Sequence, residues 1–351
     1  MSKVRFGIIG CGVISPWHAK GVIGAEEAEL VACCDVIKER AEKLSSDFGN
    51  PRVYTDYHEL LACGDVDAVC VCTPSGLHGQ VTIDAARAGK HVMCEKPVEI
   101  TLPKIDAMTR ACRDAKVKLG VIFQRRTSPM WHKVKKAVEE GRLGKMVLGD
   151  AYLKYFRSQE YYDSGDWRGT WELDGGGALM NQGVHMIDIL RWVMGPVETI
   201  YAQADHLARK IQVEDTACAV IKWQSGAFGV LQGTTSVTPG MDHRLEFHGE
   251  LGSILVNGEC IAKWAVPGDG DDAKKMTCNG GVDIKNGTSA TEPTAIATEG
   301  HQVQIQDLCR AIREDSDPMI TGEEARKAVE VILAVYESAR TGLPVRLSAR
   351  S

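Results

Sequence analysis

From Val4 to Phe123, short apolar runs of strand length alternate with stretches of helix length, and that alternation limits this part of the chain to very few folds. The runs are Val4 to Ile9, Glu29 to Cys34, Arg52 to Tyr54, Ala68 to Cys72, Val92 to Cys94 and Lys118 to Phe123. Helical stretches follow the first run and then cover Ile37 to Phe48, Tyr57 to Ala62, Gln80 to Ala88 and Leu102 to Ala115. Strands separated by helices of this length form a parallel sheet with both faces covered. Residues 1–123 are therefore expected to form a doubly wound α/β domain of Rossmann type.

In such a sheet, ligands sit outside the carboxyl ends of the strands. The first run leads directly into Gly10-Cys-Gly12-Val13-Ile14-Ser15 and a helix. Gly10 permits the tight turn, Gly12 lets a pyrophosphate reach the backbone, and the helix start offers unpaired N–H groups to phosphate. Ser15 stands where glycine or alanine is usual and is small enough to serve. The second run ends in Asp35, 25 residues after Gly10, near the offset of about 20 expected for the acid that binds an adenosine ribose. Its carboxylate would repel a 2′-phosphate, so NAD is favoured over NADP, with Lys38 leaving some room for NADP. Two more strand ends carry polar groups: Thr73-Pro74 with His78 beyond it, and Glu95-Lys96-Pro97, where a cis Lys96-Pro97 bond is compatible with the turn.

Beyond Phe123 the pattern changes. Gln124 to Ser128 is a polar break, and Pro129 opens a helix to about Glu140. Strand candidates then follow one another: Met146 to Ser158, Glu198 to Ala208, Asp215 to Trp223, Gly226 to Thr235, His243 to His248 and Ser253 to Val256. Consecutive long strands imply an antiparallel or mixed sheet, hence an α+β second domain over residues 124–351. Pro267 to Thr298 reads as a variable excursion, and helices Gly300 to Arg313 and Gly322 to Arg340 close the chain.

One helix in this half is unusual. Ala178 to Met194 is apolar nearly all round, as a buried helix is. Asn181, His185, Asp188 and Trp192 nevertheless share one face, and such groups are costly to bury without partners. Gly175-Gly-Gly177 just upstream lets a second segment or a ligand approach the helix's positive end.

The chain has 351 residues and a net charge of −6, which gives no general field for nucleic acid or an acidic membrane. No stretch approaches the roughly 20 apolar residues of a spanning helix, and no basic segment precedes a long apolar run, so a cytoplasmic location is expected. The 12 cysteines are irregularly spaced, several within strand runs and none in a Cys-x-x-Cys pair. That suits small buried thiols in a reducing compartment, not a disulfide framework, and no metal site is expected.

The ordered set Gly10-x-Gly12, Thr73-Pro74 with His78, Glu95-Lys96-Pro97, Arg126 before Pro129, Gly175-Gly-Gly177 and His185-x-x-Asp188 resembles the glucose-fructose oxidoreductase and inositol dehydrogenase (Gfo/Idh/MocA) family over nearly the whole chain. The resemblance implies a Rossmann domain followed by a domain with a large open sheet, through which members form homo-oligomers, dimers or tetramers. It implies oxidation or reduction of a secondary hydroxyl on a sugar, sugar nucleotide or cyclitol with NAD(P). The family's catalytic lysine falls on Lys96 and its histidine on His185. Many members carry aspartate four residues before that histidine. Here Asn181, which cannot ionise, stands in that place, as in members that resemble nucleotide-sugar 3-dehydrogenases.

Hydride leaves a ring carbon only as its hydroxyl loses a proton, so a base must touch that oxygen. His185, of a type that titrates near pH ~6.5, is read as base or relay. Lys96 is read as orienter and alkoxide stabiliser, or as the base in its neutral form. Asn181 is read as a hydrogen-bonding positioner. Arg126, Trp167, Arg168 and Asp188 are candidate substrate contacts, with Tyr152 and Tyr155 behind them. The competing readings are a redox-neutral NAD-dependent glycosidase and a nucleotide-binding regulator without turnover.

Overall fold

The structure is a computed structural model that describes residues 2–269, 290–291 and 299–347. The chain divides into two compact units, Met1–Thr127 with Ala297–Val329, and Ser128–Ile296 with Glu330–Ser351. Most of the expected excursion from Pro267 to Thr298 lies outside the described residues.

In the first unit, strands β1 (Val4–Ile9), β2 (Ala28–Cys34), β3 (Arg52–Tyr54), β4 (Ala68–Val71), β5 (His91–Cys94) and β6 (Leu119–Val121) alternate with helices α1 (Ser15–Gly24), α2 (Lys38–Asp47), α3 (Tyr57–Ala62), α4 (His78–Arg87) and α5 (Leu102–Asp114). The sheet is wholly parallel in the order β3-β2-β1-β4-β5-β6. Because β1 is flanked by β2 on one side and β4 on the other, the connections diverge there and leave a crevice at the carboxyl ends of the strands. Phe6, Ile8, Cys33, Cys70 and Met93 are almost fully buried, as strands covered on both faces require.

The second unit starts with α6 (Pro129–Glu139) and continues with β7 (Met146–Lys154) and α7 (Gln159–Asp163). A π-helical segment, Ala178–Gly183, then runs into α8 (Val184–Met194). Strands β8 (Val197–Asp205), β9 (Thr216–Trp223), β10 (Phe228–Thr234), β11 (Arg244–Gly249), β12 (Ser253–Asn257) and β13 (Cys260–Ala265) follow. Helix α9 (Glu299–Glu314) belongs to the first unit and packs on α1, so closely that a Cβ on Gly21 would lie 2.9 Å from Ile305. Helix α10 (Gly322–Thr341) and the short β14 (Val345–Arg346) complete the chain.

The second sheet has eight strands in the order β13-β12-β11-β7-β10-β9-β8-β14, with β7 and β10 parallel and the other pairs antiparallel. One face of β7 packs under α8, where a Cβ on Gly149 would lie 2.5 Å from Met194. The mixed sheet is as expected, but β13 and β14 add to the strands read from sequence. The helix read as continuous from Ala178 to Met194 is π-helical in its first turn and a half. Asn181 therefore does not keep an α-helical i, i+4 relation to His185.

Among the described residues, ten cysteines are free thiols, all buried except Cys63 and Cys218. Cys260 on β13 is disulfide-bonded, where the sequence suggested only buried thiols. Among the described residues, no helix is long and apolar enough to cross a membrane.

Candidate active site

The glycine turn sits at the carboxyl end of β1. Gly10 has φ +94°, and a Cβ there would lie 2.6 Å from the carbonyl oxygen of Cys72, so only glycine fits. At Gly12 a Cβ would meet nothing within 4 Å, so no packing within the protein calls for glycine, and the space is open for a phosphate to approach. Ile14 makes no side-chain cap on α1, but the helix start itself is occupied: Pro16 has no N–H, and the Ser15 and Trp17 N–H groups donate to the Gly12 and Ile14 carbonyls at 3.2 and 3.0 Å, which leaves the Gly12, Val13 and Ile14 N–H groups of the turn for an anion. Ser15 is buried, and its hydroxyl donates to the Gly12 carbonyl at 2.8 Å, bracing the turn.

Asp35 closes this site from the end of β2. One carboxylate oxygen accepts the Cys11 N–H at 2.8 Å and the other accepts the Ile37 N–H at 2.8 Å, leaving a lone pair on each for ribose hydroxyls. Lys38, three residues on, is paired with Glu42 at 2.9 Å. Val13, Val36, Ile37 and Leu77, all exposed, leave apolar surface at the ends of β1, β2 and β4, suited to flat rings. These residues fit a dinucleotide. Gly10, Gly12, Val13, Ile14 and Asp35 would hold its pyrophosphate and adenosine side.

The loops after β4 and β5 are bolted together by His78. This ring is 1% exposed, with Nε2 at 2.9 Å from the Thr73 carbonyl oxygen and Nδ1 at 2.8 Å from the Pro97 carbonyl oxygen. The Thr73-Pro74 turn is thereby fixed relative to Lys96, and the Lys96-Pro97 bond is cis.

Glu95 is buried, and its side chain turns into the core of the unit. Oε1 lies 2.8 Å from Nε2 of His18 on α1 and 3.4 Å from Nε2 of His301 on α9; Oε2 accepts the Lys96 N–H at 3.0 Å. Burial opposes ionisation of Glu95, but His18 and His301 outweigh it and hold the carboxyl well below its ordinary range. Burial likewise pulls His18 down, against the pull of Glu95, so its imidazole stays neutral. Arg126 is buried too, its guanidinium donating to Glu324 on α10 at 3.0 Å.

In the second unit, Asn181 and His185 are half-buried and Asp188 is fully buried. Nδ2 of Asn181 donates to Asp174 at 2.5 Å, and its Oδ1 accepts from Gln182 at 2.9 Å. The same Gln182 amide donates to the Tyr161 hydroxyl at 3.0 Å, which also accepts from Arg168 at 2.5 Å. Arg168 lies 4.3 Å from the ring centre of Tyr161 and 4.6 Å from that of Trp167. Asn181, Trp167 and Arg168, singled out separately in the sequence, thus belong to one connected network. Tyr152 stacks with Arg244 on the sheet face opposite α8, and Tyr155 is buried beneath Arg157.

The triple glycine has an internal cause. Glu214, fully buried, accepts N–H groups from Gly177 at 3.0 Å and Leu179 at 2.8 Å and the Tyr336 hydroxyl at 2.8 Å. A Cβ on Gly176 would lie 2.1 Å from that hydroxyl, and one on Gly177 would lie 2.2 Å from the Glu214 carbonyl oxygen. The positive end of the π segment is therefore filled by the protein's own carboxylate. Burial raises Glu214 to about 7 despite these donors. His18, His301, Asp174, Tyr161, Gln182, Glu214 and Tyr336 are site-supporting residues that sequence reasoning missed. Each acts through a partner distant in sequence or through a loop without periodicity, and no local pattern flags it.

Two family models match the chain: an oxidoreductase family with an NAD-binding Rossmann fold over residues 4–123, and the GFO/IDH/MocA C-terminal domain over residues 131–255. Myo-inositol 2-dehydrogenase of Thermotoga maritima is 32% identical over 72% of this chain and 75% of its own length. The crystal structure of the WlbA dehydrogenase from Bordetella pertussis, in complex with NADH and UDP-GlcNAcA, is 34% identical with a TM-score of 0.88, covering 99% of this chain and 100% of that one. Its counterpart from Chromobacterium violaceum, with the same two ligands, is 33% identical with a TM-score of 0.89, covering 100% and 98%. The chain belongs to the Gfo/Idh/MocA family of oxidoreductases and carries that family's NAD-binding Rossmann domain.

Proposed function

We propose that this Gfo/Idh/MocA oxidoreductase oxidises a secondary ring hydroxyl of a sugar, sugar derivative or cyclitol, or reduces the corresponding ketone. The observation that carries the reading is Lys96, just past the carboxyl end of β5, with its backbone N–H tied to the buried Glu95 carboxylate that also meets His18 on α1. Bound NAD supplies the acceptor for the hydride. Lys96 donates a hydrogen bond to the reacting oxygen and stabilises negative charge on it as the proton leaves. His185 takes the proton or relays it, and Asn181, anchored by Asp174, orients the sugar. Gly10, Gly12, Val13, Ile14, Asp35, Thr73, Pro74 and the main chain at Glu95 and Lys96 form the cofactor side. His78 and the Glu95 carboxylate brace it from within.

The likeness at 34% and 33% identity over the whole chain to two structures in complex with UDP-GlcNAcA supports a nucleotide-linked sugar as the substrate, whereas one inositol dehydrogenase matches over 72% of the chain and another, matched over 99%, is 26% identical. The test is NADH absorbance with a panel of inositols, free aldoses, glycosides and nucleotide-linked sugars. A rise with one class names the substrate. No rise with any of them, in protein that binds NAD, rejects net oxidation and leaves the redox-neutral and regulatory readings.

A homo-oligomer formed through the second sheet is part of this reading. Its support is a row of exposed apolar side chains, Leu148, Phe228, Val220 and Tyr201, on neighbouring strands of the face turned away from α8. Sedimentation at monomer mass would refute it, and Val220→Glu is expected to lower the oligomer mass. A cytoplasmic location rests on the ten free thiols and is checked by cell fractionation.

A further inference from the structure

The second unit contains a cavity of about 500 Å³ bounded by α7, the turn at 165–170 and the loop at 206–212. Arg168, Arg209 and Lys210 line it, with His206 at its edge, and Asp163 is the one carboxylate among the lining residues. No ion pair engages any of these three cations among the described residues. Arg168 stacks on Tyr161 and Trp167, and Arg209 lies 5.4 Å from the ring centre of Phe156. In a chain of net charge −6, three like charges gather around one cavity; Asp163 shares its lining and Glu160 interacts electrostatically with Arg209, yet no ion pair neutralises any of the three among the described residues.

The loop that presents them is built to stay in place. Asp215 accepts the N–H groups of Leu207, Ala208 and Arg209 at 3.0, 2.7 and 2.7 Å, which satisfies its own charge internally. Gln159 brackets Lys210, accepting its N–H at 2.9 Å and donating to its carbonyl at 3.3 Å. The Gln212 N–H donates to the Gly169 carbonyl at 3.0 Å, tying the loop to the turn that carries Arg168. The backbone of the loop is committed, and the Arg209 and Lys210 side chains line the cavity.

The cavity is also connected to the catalytic helix. Arg168 donates to Tyr161, whose hydroxyl accepts from Gln182, which donates to Asn181. Two side chains, Tyr161 and Gln182, therefore link the cavity wall to Asn181.

We propose that this cavity is the anion subsite for the substrate, holding the diphosphate of a nucleotide-linked sugar whose ring is presented to Asn181 and His185. The inference rests on the ring-oxidation reading and adds where the substrate's charge is held. Three cations match a diphosphate better than a single carboxylate, and arginine forks pair with phosphate oxygens in bidentate fashion. The volume lies within the range of about 300–1,000 Å³ typical of small-molecule sites.

The test is calorimetric titration of the NAD-loaded protein with uridine diphosphate, inorganic pyrophosphate and a sugar 1-phosphate, using wild type and the Arg209→Ala/Lys210→Ala double variant. Uridine diphosphate is expected to bind wild type, and its affinity to fall about tenfold or more in the double variant, whose melting temperature stays unchanged. Pyrophosphate is expected to show the same loss, which assigns the site to phosphate. Absence of uridine diphosphate binding, or equal binding to both proteins, overturns the proposal. A sugar 1-phosphate that binds as tightly as uridine diphosphate overturns its nucleotide-linked part. The two readings fail separately: binding lost in the variant with no sugar reducing NAD sinks only the oxidation reading, whereas free-sugar oxidation without uridine diphosphate binding sinks only the subsite.

Discussion

The Glu95 carboxylate lies 2.8 Å from Nε2 of His18 and, through its other oxygen, accepts the backbone N–H of Lys96. The residue before the proposed catalytic lysine is thus a buried anchor between the lysine loop and the helix that follows the glycine turn. In Glu95→Gln, the amide cannot accept from both Lys96 and His18. One buried donor is left unpaired, or His18 must move its proton to Nδ1, which has no hydrogen-bond partner. A loss of about 1–3 kcal/mol in urea unfolding is expected, together with a fall in kcat larger than the fall in NAD affinity. Wild-type kcat in this variant would rule out the anchoring role.

Glu214 gives the chain a pH dependence of definite sign. Its folded-state carboxyl, raised to about 7 by burial, binds a proton more tightly than the unfolded chain does. Its contribution to stability is therefore lost as pH rises from the unfolded value near 4.5 toward 7, and is flat above that. The difference in unfolding free energy between wild type and Glu214→Gln is expected to change by about 3 kcal/mol across this window. Parallel stability profiles for the two proteins would contradict the assignment.

Gly177→Ala is expected to damage catalysis from a distance. The new Cβ meets the Glu214 carbonyl oxygen at 2.2 Å, a backbone atom that cannot swing away. The π segment that carries Asn181 must shift, at about 1–3 kcal/mol of stability. Steady-state kinetics should show a lower kcat with NAD affinity intact, since the dinucleotide residues lie in the other unit.

Asp35→Asn removes the charge proposed to favour NAD and weakens the brace on the Cys11 N–H. NAD binding followed by fluorescence is expected to weaken by about tenfold, and the preference for NAD over NADP to shrink. An unchanged preference would place the specificity elsewhere.

The first unit was legible because its signals are local: strand periodicity, a glycine turn, and an acid at the end of the next strand. The course of the second sheet was partly legible, since β7 to β12 alternate, but β13 lies against a stretch without clear period and β14 has two residues. The π segment leaves no mark in an apolar sequence, so Asn181 and His185 looked like one α-helical face. Glu95 looked like a ligand-facing acid because His301, which helps bury it, lies more than two hundred residues along the chain. The cations of the 206–212 loop were passed over for a related reason. Their significance comes from the cavity they share with Arg168, and sequence spacing does not reveal that.

The most direct test of ring oxidation uses a ring-deuterated, nucleotide-linked sugar with the NAD-loaded protein and mass analysis of the recovered cofactor. Deuterium in the reduced cofactor, abolished in Lys96→Ala and His185→Ala variants that still bind NAD, is the predicted result. Deuterium lost to solvent or retained in the sugar, with no reduced cofactor formed, would contradict it.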